Sequence, residues 1–293
     1  MVSRYESPSA LSGWFNGFLG VLIFSGSLPA TRMAVQYFNP FLLTYTRAAI
    51  AGLVALSILR MMREKRPTGR QLGSLIIVSF GVVVGFPLFT AMALQHVTAS
   101  HSIVFVGLLP LSTAIFGVLR GGEQPRPAFW FFSLLGSLLV CGFALAQNGT
   151  SSLTGDLLML AAIIVCGLGY AEGAKLTKQL GGWQVISWAL VISLPFMLPA
   201  TLLMMPSSLA GVSITAWLAL GYVSLFSMLI GFIFWYKGLA LGGTAAVGQL
   251  QLIQPFFALA LSAVLLHEEI SPAMIATTLC VIACVLASRK FAR

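Results

Sequence analysis

The sequence divides into ten apolar runs of about 20 residues, separated only by short polar or Pro/Gly-rich breaks. The hydrocarbon core of a bilayer is about 30 Å thick, and an α-helix needs about 20 predominantly apolar residues to cross it. The runs therefore predict an all-α integral membrane protein with ten transmembrane helices. They lie near residues 14–35, 40–60, 71–94, 99–119, 128–147, 154–177, 183–204, 214–237, 244–266 and 271–289.

Composition supports a bilayer as the solvent of this chain. Hydrophobic residues make up 58% of the sequence and charged residues only 8%, whereas soluble chains carry about 25% charged residues. Most of the exterior must therefore face an apolar medium. The first run, from Trp14, is too long for the apolar region of a typical signal peptide, so we interpret it as the first span.

The placement of Lys and Arg predicts the orientation. The formal net charge of +9 would suggest a nucleic-acid partner in a soluble protein. In a membrane protein, however, Lys and Arg near span ends stay on the cytoplasmic side. With the N-terminus inside, every Lys and Arg except Arg32 and Arg47 falls in a cytoplasmic segment. We therefore expect both termini in the cytoplasm, positive charge that faces anionic lipid headgroups, and no nucleic-acid partner.

The two halves of the chain share a pattern of prolines and acids. Shifting the sequence by 145 residues superposes Pro110 on Pro255, Glu123 on Glu268 and Pro127 on Pro272. Nearer the start of each half, residues 11–13 resemble residues 153–155 at a shift of 142. The pattern predicts two five-helix repeats, 11–147 and 153–290, and chance alignment of common membrane prolines is the alternative. Because five spans is an odd number, the second repeat would be inverted.

Inverted repeats are typical of secondary transporters, in which a site near the midplane alternates in access between the two sides. Pro110 and Pro255 lie near the middle of the fourth and ninth spans. A proline there removes a backbone donor and permits a bend. We predict that both are hinges, with a static packing kink as the alternative.

The sequence resembles the EamA family of the drug/metabolite transporter superfamily, and most closely its YddG-type amino acid exporters. The residues that carry the resemblance are Gly26 to Arg32, Pro40 followed by Arg47, Ala93-Leu94, Pro110 to Glu123, Gly155-Asp156 and Pro255 to Glu268. It implies a central cavity lined by the first four helices of each half, with the fifth and tenth helices outside. It also implies export of aromatic and other neutral or apolar amino acids across the cell inner (plasma) membrane.

Charged side chains at membrane depth are costly and often functional. Glu172 and Lys175 lie three residues apart, which suggests a structural pair or, alternatively, a gate. Arg47 lies about two turns into the second span and must find a carbonyl or an acid, so we expect it to stabilise the fold. No Asp or Glu lies near the middle of a span, which argues against a carboxylate proton relay and favours a facilitative carrier.

Neutral dipoles and aromatic rings are the remaining candidates to bind a zwitterionic amino acid. The polar candidates are Ser25, Ser27, Thr90, His101, Ser102, Gln251 and Gln254. The aromatic candidates are Phe86, Phe89, Phe105, Tyr170, Trp235 and Tyr236. The alternatives are hydrogen bonds between helices for the amides, a satisfied or hydrated side chain for His101, and lipid-facing or core positions for the rings.

Other classes of protein fit less well. No Cys/His cluster has the spacing of a metal site, so we expect neither metal nor other cofactor. An intramembrane enzyme would need convergent acids, bases or nucleophiles at one depth, and none converge, so we expect no enzymatic activity. A drug or nucleotide-sugar carrier of the same superfamily and a channel remain alternatives. The sequence indicates a small-molecule substrate and lipid as partners and gives no oligomeric state.

Overall fold

The computed structural model describes residues 8–121, 127–146, 152–242 and 248–290. All regular secondary structure in these ranges is helical, and we group it into ten segments, α1 to α10. Their bounds are α1 Pro8–Ser25 and Ser27–Ala34; α2 Pro40–Met61; α3 Gly69–Val78, Ser79–Gly85 and Phe86–Ala93; α4 Ala99–Val106 and Leu109–Gly121; α5 Pro127–Ala146; α6 Leu153–Leu180; α7 Gly182–Leu203; α8 Ile214–Gly221, Tyr222–Ile230 and Gly231–Gly242; α9 Gly248–Ile253 and Gln254–Leu266; α10 Pro272–Lys290.

Seven of these segments are long and apolar enough to cross a membrane: α1 to α4 and α6 to α8. Two shorter apolar helices, Gln254–Leu266 and Pro272–Cys284, lie in α9 and α10. Large apolar side chains such as Phe131 and Phe196 point outward from α5 and α7, as expected for a surface in contact with lipid. The predicted all-α, multi-pass membrane architecture is confirmed, while ten crossings with both termini in the cytoplasm stay a prediction.

The segments begin where the sequence offers caps. The Asn39 side chain accepts a hydrogen bond from Phe41 N at 2.9 Å at the start of α2, and Pro40, which has no amide proton, occupies the first turn. Thr68 and Gln71 form a capping box at the start of α3. Such caps satisfy amides that have no partner within the helix, so the polar breaks become helix boundaries.

The two halves have corresponding helix bounds. Adding 145 to Gly69–Ala93 gives Ile214–Gly238, and adding 145 to Leu109–Gly121 gives Gln254–Leu266. Both α3 and α8 contain a π-helical stretch, Ser79–Gly85 and Tyr222–Ile230. Pro110 and Pro255 each occupy the second position of a helix that follows a break, although the Pro110 side chain and Glu123 lie outside the described part.

Packing also pairs helices across the halves. α1 packs on α8, α3 on α6, α2 on α7, and α5 on α10. Glycines allow the closest approaches: a Cβ at Gly238 would lie 2.6 Å from Gly17 N, and one at Gly81 would lie 2.6 Å from the Val165 carbonyl oxygen. Small residues bring helix backbones close in membranes, where van der Waals contact drives association. The α1–α8 and α3–α6 pairs thus enclose the middle of the bundle.

Candidate functional site

One wall of the site lies at a break in α1. The helix is interrupted at Gly26, and Ile23 O accepts a hydrogen bond from the Tyr222 hydroxyl of α8 at 2.5 Å. A Cβ at position 26 would lie 2.5 Å from that hydroxyl oxygen, so glycine allows this close approach and a larger residue would have to displace the Tyr222 hydroxyl. Tyr222 therefore satisfies a carbonyl at the break and joins the π-helical stretch of α8 to α1.

Arg47 of α2 meets the same π-helical stretch. Its Nη2 donates to the Val223 carbonyl oxygen at 3.0 Å and to Ser227 Oγ at 3.4 Å. The side chain is 5% exposed. The sequence predicted that this cation must find a carbonyl or an acid, and the structure gives it a carbonyl. A buried charge needs such partners because transfer out of water is costly.

Ser227 extends this contact to α1. Its Oγ lies 2.7 Å from Ser27 Oγ, close enough for a hydrogen bond in either direction. Arg47, Ser227 and Ser27 therefore form one polar chain across α2, α8 and α1, which we call the polar chain. Side chains held by several partners lose rotamer freedom, so the chain fixes the position of the guanidinium.

The polar chain lies on the wall of a cavity of about 500 Å³, counted with the space open to solvent. We call it the central cavity. Its lining comes from α1 to α4, α6, α8 and α9, which are the first four segments of each half except α7. It is lined by Phe24, Ser27, Leu28, Arg47, Val82, Phe86, Pro87, Val106, Leu109, Cys166, Tyr170, Ser227, Met228, Phe232 and Gln254.

The lining has one charged group and several rings. Among the described residues of the lining, Arg47 is the sole ionic side chain, and none is Asp or Glu. Phe24 packs edge-on to Phe232 with ring centroids 4.9 Å apart, and Tyr170 packs on Phe232 at 5.9 Å. The central cavity therefore combines an apolar, aromatic wall with a small positively charged polar region, which suits an amphipathic solute.

Positions related by the repeat meet in the central cavity. At the shifts of 142 and 145 found in the sequence, five pairs of equivalent positions both contribute to its lining. The pairs are Phe24 with Cys166, Leu28 with Tyr170, Val82 with Ser227, Pro87 with Phe232, and Leu109 with Gln254. The cavity thus lies between the halves, where a carrier built on inverted repeats places its site.

Four of the predicted substrate-binding residues line the central cavity: Ser27, Phe86, Tyr170 and Gln254. The other nine lie outside its lining. Ser25, Thr90, Ser102, Phe105, His101, Trp235, Tyr236 and Gln251 are buried in the helix packing, and Phe89 is half-buried on α3. The Ser25 and Thr90 hydroxyls donate to carbonyls one turn earlier in their own helices, Val21 O and Phe86 O, each at 2.8 Å.

His101 lies in a second polar cluster, near the ends of the helices that we predict to face outward. Its Nε2 donates to Asp156 Oδ1 of α6 at 2.7 Å, and both side chains are buried. Glu268, just beyond α9, accepts hydrogen bonds from the amides of Ala99 and Ser100 at 3.0 and 2.7 Å. The carboxylate thereby caps the positive end of α4. These contacts join α4 to the second half.

Arg32, the other cation outside the predicted cytoplasmic segments, donates to the Leu94 carbonyl at the end of α3. At the opposite ends of the helices, Ser74 Oγ donates to Glu172 at 2.6 Å while Lys175 is exposed. The Glu172 carboxylate therefore contacts α3. The Arg32–Leu94 and Ser74–Glu172 contacts join neighbouring segments near their ends, away from the central cavity.

Sequence reasoning missed several functional candidates. Phe24, Ser227 and Phe232 line the central cavity, and Asp156 pairs with His101. The repeat shift gave no signal for the first three, because their equivalents, Cys166, Val82 and Pro87, were not candidates either. Applied to Tyr170 and Gln254, it would have indicated the lining residues Leu28 and Leu109. Among the described residues, no group of three or more His, Cys, Asp or Glu is arranged to hold a metal ion.

Comparison with known proteins identifies relatives along the whole chain. Residues 11–145 and 153–289 match the EamA-like transporter family. An uncharacterized transporter of Bacillus subtilis strain 168, YdeK, is 64% identical over 282 residues, which cover 96% of this chain and 98% of YdeK.

More distant relatives match 71% or more of the chain. The inner membrane transporter YedA of Escherichia coli K12, also named as uncharacterized, is 24% identical over 216 residues, covering 71% of this chain and 68% of YedA. A protein of known crystal structure superposes with a TM-score of 0.66 at 19% identity, covering 94% of this chain and 96% of that one. This last likeness concerns the fold.

Proposed function

This chain belongs to the EamA-like transporter family and is a multi-pass membrane transporter, and we propose that it exports amino acids through the central cavity. The proposed substrates are aromatic and other neutral or apolar amino acids. The observation that carries the proposal is the lining itself, in which aromatic rings face the polar chain of Arg47, Ser227 and Ser27. An amino acid with an apolar side chain matches both surfaces, because its side chain can pack on the rings and its charged groups can contact the polar chain.

Charge favours amino acids over the rival substrates. A nucleotide sugar typically carries two phosphates, whereas the described lining offers one cation, Arg47. A cationic drug would approach that guanidinium without any carboxylate in the described lining to offset the repulsion. Both rival carriers are therefore the less favoured candidates.

Alternating access between the halves is the proposed mechanism. It is supported by the corresponding helix bounds, by the cavity between the halves, and by the breaks that precede Pro110 and Pro255. The His101–Asp156 and Glu268 contacts would close the outer side and would have to separate when that side opens. We propose that the protein lies in the cell inner (plasma) membrane, with ten crossings and both termini in the cytoplasm. The name of YedA, an inner membrane transporter, supports this location.

The experiment is solute counterflow in liposomes that contain the purified protein. Liposomes loaded with one unlabelled amino acid are expected to accumulate its labelled form, while matched sugars and cationic drugs exchange no faster than in protein-free vesicles. Exchange of a sugar or drug without any amino acid would contradict the substrate proposal. Single-channel current steps in planar bilayers would contradict the carrier mechanism.

One observation favours a second candidate, proton-coupled transport. His101 and Asp156 form a buried titratable pair between the halves, which is a common arrangement for proton transfer in transporters. The facilitative proposal rests on the central cavity, whose described lining residues include no acid. A proton gradient imposed across amino-acid-loaded liposomes discriminates between them, since only a coupled carrier would then move substrate against its own gradient.

A further inference from the structure

We propose that Arg47 binds the carboxylate of the substrate, so that the central cavity selects a monocarboxylate on an apolar body and does not require the ammonium group. This inference names the recognised chemical group and rests on the proposed passage of substrate through the central cavity. The role is additional to the stabilising contact of Arg47 with α8.

Arg47 lacks a counter-charge among the described residues. Within the described residues its hydrogen-bond partners are the Val223 carbonyl and the Ser227 hydroxyl, both neutral. The buried acids have other partners: Asp156 contacts His101, and Glu172 contacts Ser74. A buried cation held only by neutral acceptors keeps a strong preference for an anion that enters its cavity.

Arg47 also keeps N–H donors that have no partner in the described structure. A guanidinium has five N–H groups, and the hydrogen bonds of Arg47 in the described structure use only Nη2. Nε is buried without a partner. A planar carboxylate can accept two parallel hydrogen bonds from such a guanidinium, which is the geometry that distinguishes Arg from Lys.

The described lining has no matching site for a cation. None of its residues is a carboxylate, so an ammonium group would meet neutral dipoles, such as the Gln254 amide and the Ser27 hydroxyl. Neutral dipoles can accommodate an ammonium group but give it less energy than a charged partner. The carboxylate is therefore the group that decides affinity, while Phe86, Tyr170 and Phe232 favour an apolar body.

The test uses three probes that share one aromatic body. L-Phenylalanine carries both charged groups, 3-phenylpropionate carries only the carboxylate, and phenethylamine carries only the ammonium group. Binding is measured by isothermal titration calorimetry on the full-length protein in lipid nanodiscs, and inhibition of counterflow is measured in liposomes. We expect phenylalanine and 3-phenylpropionate to bind within about tenfold of each other and phenethylamine to bind at least roughly 10-fold more weakly than either.

Substitutions of Arg47 and Arg32 test whether the preference for a carboxylate comes from Arg47. Arg47→Gln is expected to weaken 3-phenylpropionate binding by about 10- to 100-fold and to remove the preference over phenethylamine, and Arg47→Lys is expected to restore part of it. Arg32→Gln is the matched control, because Arg32 bonds a carbonyl outside the central cavity, and it should leave the preference intact. If Arg47→Gln unfolds, the three probes on the native protein and on Arg47→Lys still decide.

The outcomes separate this inference from the proposed function. If phenylalanine is transported but phenethylamine binds as tightly as 3-phenylpropionate, the role of Arg47 is refuted and amino acid transport stands. If no amino acid exchanges but 3-phenylpropionate binds in an Arg47-dependent way, amino acid transport is refuted and the carboxylate role stands. Failure of both acids to bind the native protein at millimolar concentration refutes the carboxylate role.

Discussion

The buried pair of His101 and Asp156 should couple the two halves of the protein energetically. Nε2 and Oδ1 lie 2.7 Å apart, and His101 is 2% exposed. A hydrogen bond that involves a charged group contributes about 1.5–3 kcal/mol, and burial excludes the water that would replace it. We therefore expect Asp156→Asn and His101→Gln to be non-additive by about 1.5–3 kcal/mol.

A double-mutant cycle measures this coupling. The native protein, both single variants and the double variant are unfolded reversibly by SDS in mixed micelles, with tryptophan fluorescence as the signal. As a control, Asp156→Asn is combined with Ser57→Ala, because Ser57 is exposed and donates only to Leu53 O of its own helix. The control pair should be additive. Additivity of the His101 and Asp156 variants within about 0.5 kcal/mol would refute the coupling.

The same pair should also control access from the predicted outer side. Each 1.4 kcal/mol lost from a contact made only in the closed state shifts the open-to-closed ratio about tenfold. Ser102 is fully buried beside His101, so a cysteine there reports opening. We expect a membrane-impermeant maleimide to label Ser102→Cys about tenfold or more faster when Asp156→Asn is present. Unchanged labelling, after subtraction of the same variants without Ser102→Cys, would show that the pair is not a gate.

Three further predictions concern packing, bending and coupling. Gly238→Ala should destabilise the protein by about 1–3 kcal/mol in the SDS titration, because its Cβ would lie 2.6 Å from Gly17 N, whereas Gly73→Ala, with nothing within 4 Å, should not. Pro255→Ala should slow counterflow without lowering membrane abundance, and an unchanged rate would leave Pro255 as a static kink. Amino acid flux down its gradient should persist when a protonophore collapses the proton gradient, and flux that stops would overturn the facilitative mechanism.

The segmentation of the chain was predictable because the bilayer imposes a length on every apolar helix. Breaks at Asn39-Pro40 and at the stretch around Thr68 follow from capping, which the sequence displays directly. The π-helical turns of α3 and α8 were not predictable, since hydrophobic runs do not distinguish a wide turn from a regular one. Those turns matter for the site, because the Val223 carbonyl that accepts from Arg47 lies in one of them.

Prediction of the site was limited by how short polar side chains are satisfied in helices. Thr90 bonds carbonyls of its own helix, and Ser25 bonds Val21 O of its own helix at 2.8 Å besides a longer contact of 3.4 Å with Gln254 O, so a hydroxyl in a span does not by itself indicate a ligand. Ser27 differs because it lines the central cavity and its partner there is a side chain, Ser227 of α8. Sequence alone cannot separate the two cases, since both present a serine or threonine in an apolar run. Aromatic positions are similarly ambiguous, as buried Trp235 and cavity-lining Tyr170 illustrate.

The two halves contribute chemically different side chains at equivalent positions of the cavity lining, and this difference would allow two similar halves to form a selective site. In four of the equivalent pairs that line the central cavity, the first half contributes an apolar side chain and the second half a polar or polarisable one: Cys166, Tyr170, Ser227 and Gln254. Arg47 reverses this pattern, because the residue that follows it by 142 is Ala189. One buried cation from the first half therefore faces neutral dipoles from the second. A symmetric pair of arginines would offer cations for two anionic groups, whereas the described lining offers one cation, as the proposed recognition of a single carboxylate requires.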